Sequence, residues 1–585
     1  MAPVPSTPAP RASFTDGGMH VEKDVPIRTT GGRTVMADVY RPTGEGPYPA
    51  VMCFTPYGKD IHFAFKEPAV YDKIAMTNDY AVYEAPDILR WVADDYAVVL
   101  VDAAGLGASP GVVDVWSWRD IEDYRDAIEF IGLQPWCTGR VGLNGISYLS
   151  ATQIAVASLR PPHLRCIIPW EVGGDNYNMI FQEGILSTFF LQSWFDAWIV
   201  PNQHGRDRFS PDELEANRID FPRVAAEHQL FDDYWKERAP DLSQITVPIY
   251  TAANWTGAML ALQQHFDLFH EAASPHKWLR AHSHSHIEPF YSEDGYAEQK
   301  RFMDFWLKDI DNGMLDVPPL KLAVRRPDRI EWIHEQEWPL ARTEWTTWYL
   351  DGRANTLTAE PPGEEATLTF EASMGEPPKL EKPPSDDSEH HAVHMNDAVV
   401  RGYIAAGVAQ PREQPWNAVF AGPPLAADLR LIGPVTLHLT VSASAGDTDL
   451  FVCLRDIAPD GTEVVYYGLD NPETPVSVGW GRLSRRAIDD DRTKPELHRP
   501  VHRQDKEDPP APGEIVQIDI AVGPTSTVFE AGHRLVLEVA SRDVFRAFPF
   551  LHITPQNRRT GGEVTLYTGG NAAWVELPVV PEAAA

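Results

Sequence analysis

Two short stretches of the sequence carry residues whose types and spacing could support nucleophilic catalysis. The first is Gly145-Ile-Ser147, which stands between an apolar run from Val141 and a helix-like segment from Ala151. A serine in a sharp strand-to-helix turn projects its hydroxyl above the sheet, where free N–H groups of the helix can stabilise an oxyanion. The usual Gly-x-Ser-x-Gly pattern ends here in Leu149, so the motif alone also fits an ordinary turn.

The second stretch is a run of alternating histidines at His282, His284 and His286. A serine hydroxyl attacks well only when an imidazole accepts its proton, and the predicted fold places that base just after the last sheet strand. Histidines at every second strand position share a face and could instead bind zinc. That alternative lacks a completing carboxylate, since the nearest acid, Glu288, lies beyond the run. We therefore expect no metal ion and no other cofactor.

The composition favours a soluble protein that binds neither nucleic acids nor anionic membranes. Acidic residues outnumber basic ones by 84 to 50, and the formal net charge of −34 disfavours nucleic acids and anionic membranes as partners. The sequence starts without signal-peptide features and has no apolar run long enough to span a bilayer, which predicts a cytoplasmic protein. The four cysteines have no metal-like spacing and lie in apolar contexts typical of buried thiols. The sequence leaves open whether the protein forms a homo-oligomer.

The 585 residues exceed what one hydrophobic core usually holds, so two or three domains are expected. Residues 1–18 predict a flexible, proline-rich tail. In residues 19–175 and 245–320 buried apolar runs alternate with amphipathic helices, which predicts an α/β fold with a doubly wound, mostly parallel sheet. The insertion at 176–244 predicts a helical cap over the carboxyl edge of that sheet. Residues 321–585 contain short alternating strands and predict an antiparallel β-sandwich or jelly roll.

Motifs along most of the chain occur in an order typical of one group of proteins. They are Tyr40-Arg-Pro42, Pro56-Tyr57, Asp102 with Gly105-x-Gly107-x-Ser109, Asp123-Tyr-x-Asp126, Gln134-Pro-Trp136, Gly139-Arg-Val-Gly142, Gly145-x-Ser-Tyr148, Gly481-Arg-Leu-x-x-Arg486 and Gly532-His-Arg-Leu535. Together they resemble the cocaine esterase and X-Pro dipeptidyl-peptidase group of serine hydrolases. The resemblance implies an α/β-hydrolase with a helical cap and a C-terminal jelly roll, which cleaves esters or amides through an acyl-enzyme.

The same resemblance implies roles for individual residues. It makes Ser147 the nucleophile and selects His286, at the end of its turn, as the general base, with His284 as the next choice. The backbone N–H of Tyr148 follows from the serine turn as one oxyanion donor. The family uses a tyrosine hydroxyl after an early strand as the second donor, and Tyr57 matches that position.

The catalytic acid is where this sequence departs from the pattern. The family has an aspartate where this chain has Thr256, and residues 251–264 contain no carboxylate. The strand after the nucleophile ends in Glu171 at the same sheet edge, so we predict Glu171 as the acid and Asp175 as the next choice. The alternative is that Glu171 only anchors the cap. A second departure is the segment Asp102-Ala-Ala104, which lacks the arginine that the family commonly has there.

The preferred function is hydrolysis of a small carboxylic ester in a pocket lined by Trp170, Phe189, Phe190, Trp194 and Trp198. An X-Pro dipeptidyl-peptidase or an acylase-type amidase is the alternative, although the sequence offers no carboxylate set that would bind a free amino terminus. A catalytically weak binding protein on the same scaffold is the alternative from another class, because Thr256 replaces the usual aspartate. Retention of Ser147, His286 and Tyr57 together favours the enzyme.

Overall fold

The computed structural model describes residues 10–581 except 75, 77, 259, 375–415, 469–470, 544–551 and 553–554. Residues 376–389, whose polar composition predicts a long surface loop, lie outside the described residues, as do residues 1–9 of the predicted tail. Among the helices that are described, none has the length and apolar character needed to cross a membrane.

A mostly parallel sheet forms the centre of the N-terminal half. Its strands run in the order β1-β2-β3-β5-β4-β6-β7-β10-β11-β12-β13, and all neighbours from β5 to β12 are parallel. The bounds in this half, including the separate hairpin β8–β9, are β1 (Ala12–Asp16), β2 (Met19–Arg28), β3 (Thr34–Pro42), β4 (Tyr48–Thr55), β5 (Ala97–Asp102), β6 (Cys137–Ile146), β7 (Leu164–Trp170), β8 (Phe181–Gln182), β9 (Ile185–Leu186), β10 (Ile249–Asn254), β11 (Lys277–His282), β12 (Leu320–Arg325) and β13 (Ile330–Glu335). The carboxyl ends of the parallel strands therefore meet at one edge, which is where α/β folds bind ligands.

The prediction of a flexible tail over residues 1–18 is wrong for its last part, which forms a strand. Ala12–Asp16 form β1, which pairs antiparallel with β2. Gly17 and Gly18 have φ angles of 53° and 82°, which allows the tight reversal between the two strands. All five residues of β1 are exposed, so no buried apolar pattern marks this strand in the sequence.

Helices pack on the sheet and form the insertion between β7 and β10. They are α1 (Phe63–Lys66), α2 (Pro68–Tyr71), α3 (Ile88–Ala93), α4 (Trp118–Gly132), α5 (Tyr148–Ser158), α6 (Asn176–Ile180), α7 (Thr188–Trp194), α8 (Pro211–Ala216), α9 (Phe221–Glu227), α10 (Asp233–Lys236), α11 (Leu262–Glu271), α12 (Glu288–Tyr291) and α13 (Glu293–Lys308), with a π-helical turn at Phe195–Ile199 and 3-10 turns at Val200–Asn202, Leu242–Gln244, Met314–Asp316, Leu483–Arg485 and Pro495–Leu497. Helix α4 shows why they form: the Ser117 side chain caps it, and its apolar positions at Ile121, Tyr124 and Ile128 are buried.

The C-terminal half consists mainly of antiparallel strands around an apolar core. The strands are β14 (Glu344–Asp351), β15 (Thr356–Thr358), β16 (Ala366–Glu371), β17 (Asn417–Ala421), β18 (Leu429–Ala443), β19 (Asp449–Ile457), β20 (Glu463–Val464), β21 (Tyr466–Gly468), β22 (Asn471–Thr474), β23 (Ser477–Arg482), β24 (Val516–Phe529), β25 (Arg534–Ala540), β26 (Glu563–Thr568) and β27 (Ala573–Val579). One set of ladders centres on β18, and another joins β17, β25, β19 and β23. Apolar side chains from both sets share one core. The jelly-roll topology itself stays a prediction.

Arg482 ties the C-terminal half to the helical insertion. Its guanidinium is fully buried and is paired with Asp449 at 2.7 Å. It also donates to the backbone carbonyls of Gly184, at 2.7 Å, and Asn557, at 2.8 Å. Arg485 donates to the carbonyl of Gln229 at 3.0 Å. Both arginines belong to the Gly481–Arg486 motif, so that motif holds the insertion against the β-strands.

Candidate active site

Ser147 occupies a strained turn at the carboxyl end of β6. Its φ and ψ angles are 60° and −120°, and its backbone N–H donates to the carbonyl of Trp170 at 2.9 Å. A Cβ atom on Gly145 would lie 2.8 Å from Leu149, so the glycine lets the helix start close to the strand. Non-glycine residues rarely adopt such angles, and they persist where the surrounding structure enforces them. The turn has the form expected of a nucleophile elbow.

His286 and Glu171 meet at the same sheet edge. Nδ1 of His286 lies 2.8 Å from Oε2 of Glu171, and the side chains are 9% and 0% exposed. Because an ionised carboxylate can only accept hydrogen bonds, Nδ1 carries the proton and donates a hydrogen bond to Glu171. This leaves Nε2 of His286 as the nitrogen available for proton transfer.

Glu171 contacts a second imidazole as well. Its Oε1 lies 2.9 Å from Nε2 of His282, and Nδ2 of Asn254 donates to its Oε2 at 3.2 Å. Burial alone would raise the pKa of Glu171, but His282 and His286 outweigh it and lower the pKa to about 2. Glu171 is therefore ionised throughout the pH range of ordinary enzymes.

Thr256, at the position where the family has its aspartate, supports Glu171 indirectly. Its hydroxyl donates to Oδ1 of Asn254 at 2.7 Å, and its backbone N–H donates to the same oxygen at 3.1 Å. These bonds fix the Asn254 amide so that Nδ2 faces Glu171 and the carbonyl of His284. The loop after β10 thus orients a carboxylate that is supplied by β7.

Tyr57 and Tyr148 are the residues predicted as oxyanion donors. Tyr148 is the first residue of α5, so its backbone N–H has no acceptor within the helix. The hydroxyl of Tyr57 accepts a hydrogen bond from Nε1 of Trp194 at 3.2 Å. Burial raises the pKa of Tyr57 well above its ordinary value, so its hydroxyl keeps its proton.

Aromatic side chains from the sheet edge and the insertion form a continuous wall beside Ser147. Trp194 stacks on Trp116 with ring centroids 4.7 Å apart, and Trp198 stacks on Tyr83 at 4.8 Å. Trp116 also stacks on Tyr148 at 5.1 Å. The sequence prediction included Trp194 and Trp198 but missed Trp116 and Tyr83, which follow no periodic pattern.

Of the remaining predicted pocket residues, Trp170 is placed differently. Trp170 is completely buried between His282 and Phe290, with centroid distances of 5.6 and 5.4 Å. It therefore offers no surface to a substrate, and the prediction is wrong because this strand-end side chain turns into the core. Phe190 is partly buried against the main core. The side chain of Phe189 lies outside the described part of the structure.

Glu84 is a buried carboxylate of the site that the sequence prediction missed. Its side chain is 3% exposed, and its Oε1 lies 3.5 Å from Nε2 of His286. Burial raises the pKa of Glu84, and the nearby Ser147 side chain is one of the groups that oppose the rise. Glu84 belongs to the irregular segment between α2 and α3, where neither spacing nor periodicity distinguishes it from a surface acid.

Asp175 and His284, the next choices for acid and base, lie outside this arrangement. Asp175 caps α6 by accepting the backbone N–H of Asn178 at 3.0 Å. His284 is half exposed and pairs with Glu288 at 3.1 Å. Strand β11 ends at His282, so the three histidines do not share a strand face. Within the described ranges, no group of three or more potential ligands could hold a metal ion.

Lys59 supplies a cation beside Asp102, where the family's arginine is missing. Its ammonium group is fully buried and lies 2.6 Å from Asp24 and from Asp60, 3.0 Å from Asp38 and 4.0 Å from Asp102. Asp102 accepts backbone N–H groups of Lys59 and Ala108, each at 2.8 Å. Burial raises the pKa of Asp102 to about 7, although Lys59 and these donors oppose the rise. This cluster anchors the loop that carries Tyr57.

A cavity of about 710 Å³ lies between the insertion, α11 and the C-terminal strands, away from this site. Glu183 and His502 line it and pair at 2.9 Å. Its lining does not include Ser147 or His286. The cavity therefore lies at the interface between the insertion and the C-terminal strands, apart from Ser147 and His286.

A serine in a nucleophile elbow, an imidazole–carboxylate pair and nearby oxyanion donors define the class of serine hydrolases with an α/β fold. The sequence matches two family profiles, the X-Pro dipeptidyl-peptidase (S15 family) over residues 31–288 and the X-Pro dipeptidyl-peptidase C-terminal non-catalytic domain over residues 312–575. The chain is 25% identical to cocaine esterase from Rhodococcus sp. over 94% of each protein.

The solved structures narrow this class further. A CocE/NonD family hydrolase from Staphylococcus aureus shares 30% identity with this chain, covers 96% of it and 94% of its own length, and superposes with a TM-score of 0.81. The chain belongs to the CocE/NonD family of hydrolases. It is thus an enzyme, a serine hydrolase that acts on esters or peptides, and the binding-protein alternative loses its basis.

Proposed function

We propose that the protein is a carboxylic ester hydrolase that forms an acyl-enzyme on Ser147. The observation that carries the proposal is the 2.8 Å contact between Nδ1 of His286 and Oε2 of Glu171 at the sheet edge that also presents Ser147. In this proposal His286 is the general base and Glu171 the acid that orients it. Tyr57 and the backbone N–H of Tyr148 stabilise the oxyanion.

Acylation follows from these positions. The Ser147 oxygen attacks the ester carbonyl while its proton passes to Nε2 of His286. The ionised Glu171 holds the Nδ1–H of the same ring and stabilises the imidazolium that forms. The carbonyl oxygen becomes negative and accepts bonds from the Tyr57 hydroxyl and the Tyr148 N–H. The imidazolium then protonates the alcohol as it leaves.

Deacylation uses the same groups in the same order. A water molecule takes the place of the alcohol and gives a proton to Nε2 of His286 as it attacks the acyl carbon. The second tetrahedral intermediate collapses, Ser147 regains its proton from the imidazolium, and a carboxylic acid is released. The aromatic wall of Trp116, Trp194 and Trp198 favours an apolar acyl group over a charged one.

A peptidase acting on free amino termini is the second candidate. It draws support from the match to the family profile named for X-Pro dipeptidyl-peptidases. Two acids of the insertion, Glu183 and Asp196, could hold an ammonium group. However, Glu183 accepts from His502 and Gln504, and Asp196 accepts from Gln192 at 2.8 Å. Esters are therefore the preferred substrates.

We also propose a cytoplasmic location. The described structure contains four buried cysteines that form no disulfide, namely Cys53, Cys137, Cys166 and Cys453. Unpaired thiols are typical of reducing compartments. Fractionation of the native cells, with detection of this chain in the soluble cytosolic fraction, tests the location independently of the activity.

The test of the activity compares the purified protein with Ser147→Ala on a panel of aryl esters and aryl amides. Ser158→Ala serves as the control, since Ser158 lies at the far end of the same helix and bonds only to the Ala155 carbonyl among the described contacts. We expect ester hydrolysis that survives a chelator, is lost in Ser147→Ala and persists in Ser158→Ala. Fluorophosphonate should label Ser147, as read by peptide mass spectrometry. Absence of labelling, or activity that survives Ser147→Ala, would contradict the proposal.

A further inference from the structure

Glu84 reaches the reacting groups from a segment outside the parallel sheet. Its backbone has φ = 59°, in the left-handed region, and its carbonyl accepts the N–H of Ile146 at 3.1 Å. Ile146 directly precedes Ser147, so this bond fixes Glu84 to the nucleophile turn. Residues other than glycine rarely adopt this conformation, and it persists only where the surrounding structure enforces it. The conformation directs a buried carboxylate toward the imidazole.

The imidazole of His286 therefore lies between two carboxylates. Glu171 holds Nδ1 at 2.8 Å, and Oε1 of Glu84 lies 3.5 Å from Nε2. The other oxygen of Glu84, Oε2, is buried and has no hydrogen-bond partner within the described part of the chain. Nε2 is the nitrogen that must accept the proton of Ser147, so Glu84 competes with the nucleophile for the same atom.

This arrangement stabilises the protonated ring. Burial alone would lower the pKa of His286, but Glu171 and then Glu84 raise it well above its ordinary value. Burial raises the pKa of Glu84 as well, against the opposing effect of His286. A proton on this pair is thus held more tightly than on an isolated histidine beside one carboxylate. While the proton remains, Nε2 cannot act as a base.

We propose that Glu84 is a further catalytic residue, whose carboxyl group shares one proton with Nε2 of His286 and sets the pH at which Ser147 can react. The inference rests on the proposed roles of Ser147 and His286. Activation breaks the bond between this proton and the pair, and the proton passes to solvent water or buffer base. The ionised Glu84 then faces Nε2 and stabilises the imidazolium when Ser147 transfers its own proton during attack.

Other ionisable groups around the pair do not account for the same titration. Tyr57 and Tyr291 face Glu84, and burial raises the pKa of both well above their ordinary value. His282 contacts the other oxygen of Glu171, Oε1, and burial lowers the pKa of its imidazole. Asp87 lies near Tyr291 and caps α3, with its carboxylate on the N–H of Arg90. The Tyr83 hydroxyl also faces Glu84 and opposes the rise in the pKa of that carboxyl.

The test measures the rate constant of fluorophosphonate labelling from about pH 5 to pH 9, a range that spans the ordinary pKa of histidine. Glu84→Gln keeps the shape of the side chain and removes its charge. We expect the acid limb of its profile to move to lower pH by about one unit or more. Because the imidazolium also loses a stabilising charge, the plateau at high pH should be lower. The two profiles therefore cross, with the variant faster in acid and slower in base.

Glu288→Gln is the matched control, because Glu288, the first residue of α12, forms its ion pair with His284 and, among the described contacts, none with His286. Its profile should overlay that of the unmodified protein. If Glu84→Gln does not fold, Glu84→Asp withdraws the carboxylate from Nε2 and should move the acid limb in the same direction. An unmoved acid limb, or loss of labelling at every pH in a folded variant, would overturn this inference. No labelling of the unmodified protein would instead overturn the proposed function.

Discussion

Nδ1 of His286 and Oε2 of Glu171 lie 2.8 Å apart, although 115 positions separate the two residues in the sequence. Their strands, β7 and β11, flank β10 in the parallel sheet and end at the same edge. The acid therefore reaches the histidine from the strand next to the nucleophile. Asn254 lies at the end of β10, between these two strands, and its Nδ2 donates a hydrogen bond to Oε2 of Glu171.

Glu171→Gln should lower the turnover number by about 10³–10⁴-fold, because the amide neither fixes the Nδ1–H tautomer nor stabilises the imidazolium. Steady-state kinetics on an ester hydrolysed by the unmodified protein measure this, and circular dichroism checks the fold. Asp175→Asn is the control: Asp175 caps a short helix, so turnover should stay near normal. Near-normal turnover in Glu171→Gln would show that the carboxylate only anchors the structure.

Tyr57→Phe should lower the turnover number by about 10²–10³-fold with little change in KM, because the hydroxyl acts mainly when the oxyanion forms. Tyr567→Phe is the control, since the hydrogen bond of its hydroxyl in the described part of the chain goes to Ser442, at 3.1 Å, in the C-terminal half. Both variants remove one hydroxyl, and only the first should affect kinetics. A rise in KM at constant turnover would instead assign Tyr57 to substrate binding.

Lys59→Met should reduce the free energy of unfolding by about 3–5 kcal/mol, because it leaves several buried carboxylates without their central cation. Urea denaturation of the full chain, followed by tryptophan fluorescence, measures the change. Lys73→Met replaces an exposed lysine and should be nearly neutral. Equal stability of the two variants would mean that Lys23, which pairs with Asp38, compensates for the loss.

Arg482→Met should also destabilise the protein by about 3–5 kcal/mol, because Asp449 and two backbone carbonyls lose a buried donor. The insertion should become more accessible to protease near Gly184, whose carbonyl Arg482 binds. Limited proteolysis with mass spectrometry locates the cuts. Arg503→Met is the control, since Arg503 is 43% exposed. Cleavage elsewhere, with the insertion still protected, would contradict the proposed tie.

The order of strands and the short turns could be predicted because local patterns encode them. The apolar run before Ser147, the glycine at 145 and the helix after it specify one kind of junction. The placement of Glu171 followed from topology, because adjacent parallel strands end at one edge. No pattern of that kind marks Glu84, which lies in an irregular segment and reaches the site only through its left-handed backbone.

Other features could not be predicted because they depend on contacts between distant segments. Lys59 lies near Asp102 only because β4 and β5 pair. The sequence alone therefore shows that the arginine is missing, but not that Lys59 supplies a cation in its place. Trp170 turns toward Phe290 because α12 covers that side of the sheet. The exposed strand β1 has no apolar alternation, and only its pairing with β2 makes it a strand.

Ser147, Glu171 and Glu84 all have φ angles near 60°, namely 60°, 61° and 59°. Side chains branched at Cβ are strongly disfavoured in this region, whereas glycine, asparagine and aspartate are tolerated. The backbone conformation therefore limits which residue types can occur at these three positions, independently of their chemical role. In a library randomised at these codons, the variants that still fold should be enriched in small residues and in Asn or Asp. An inactive descendant of this enzyme should therefore carry such a residue at position 171 or 84.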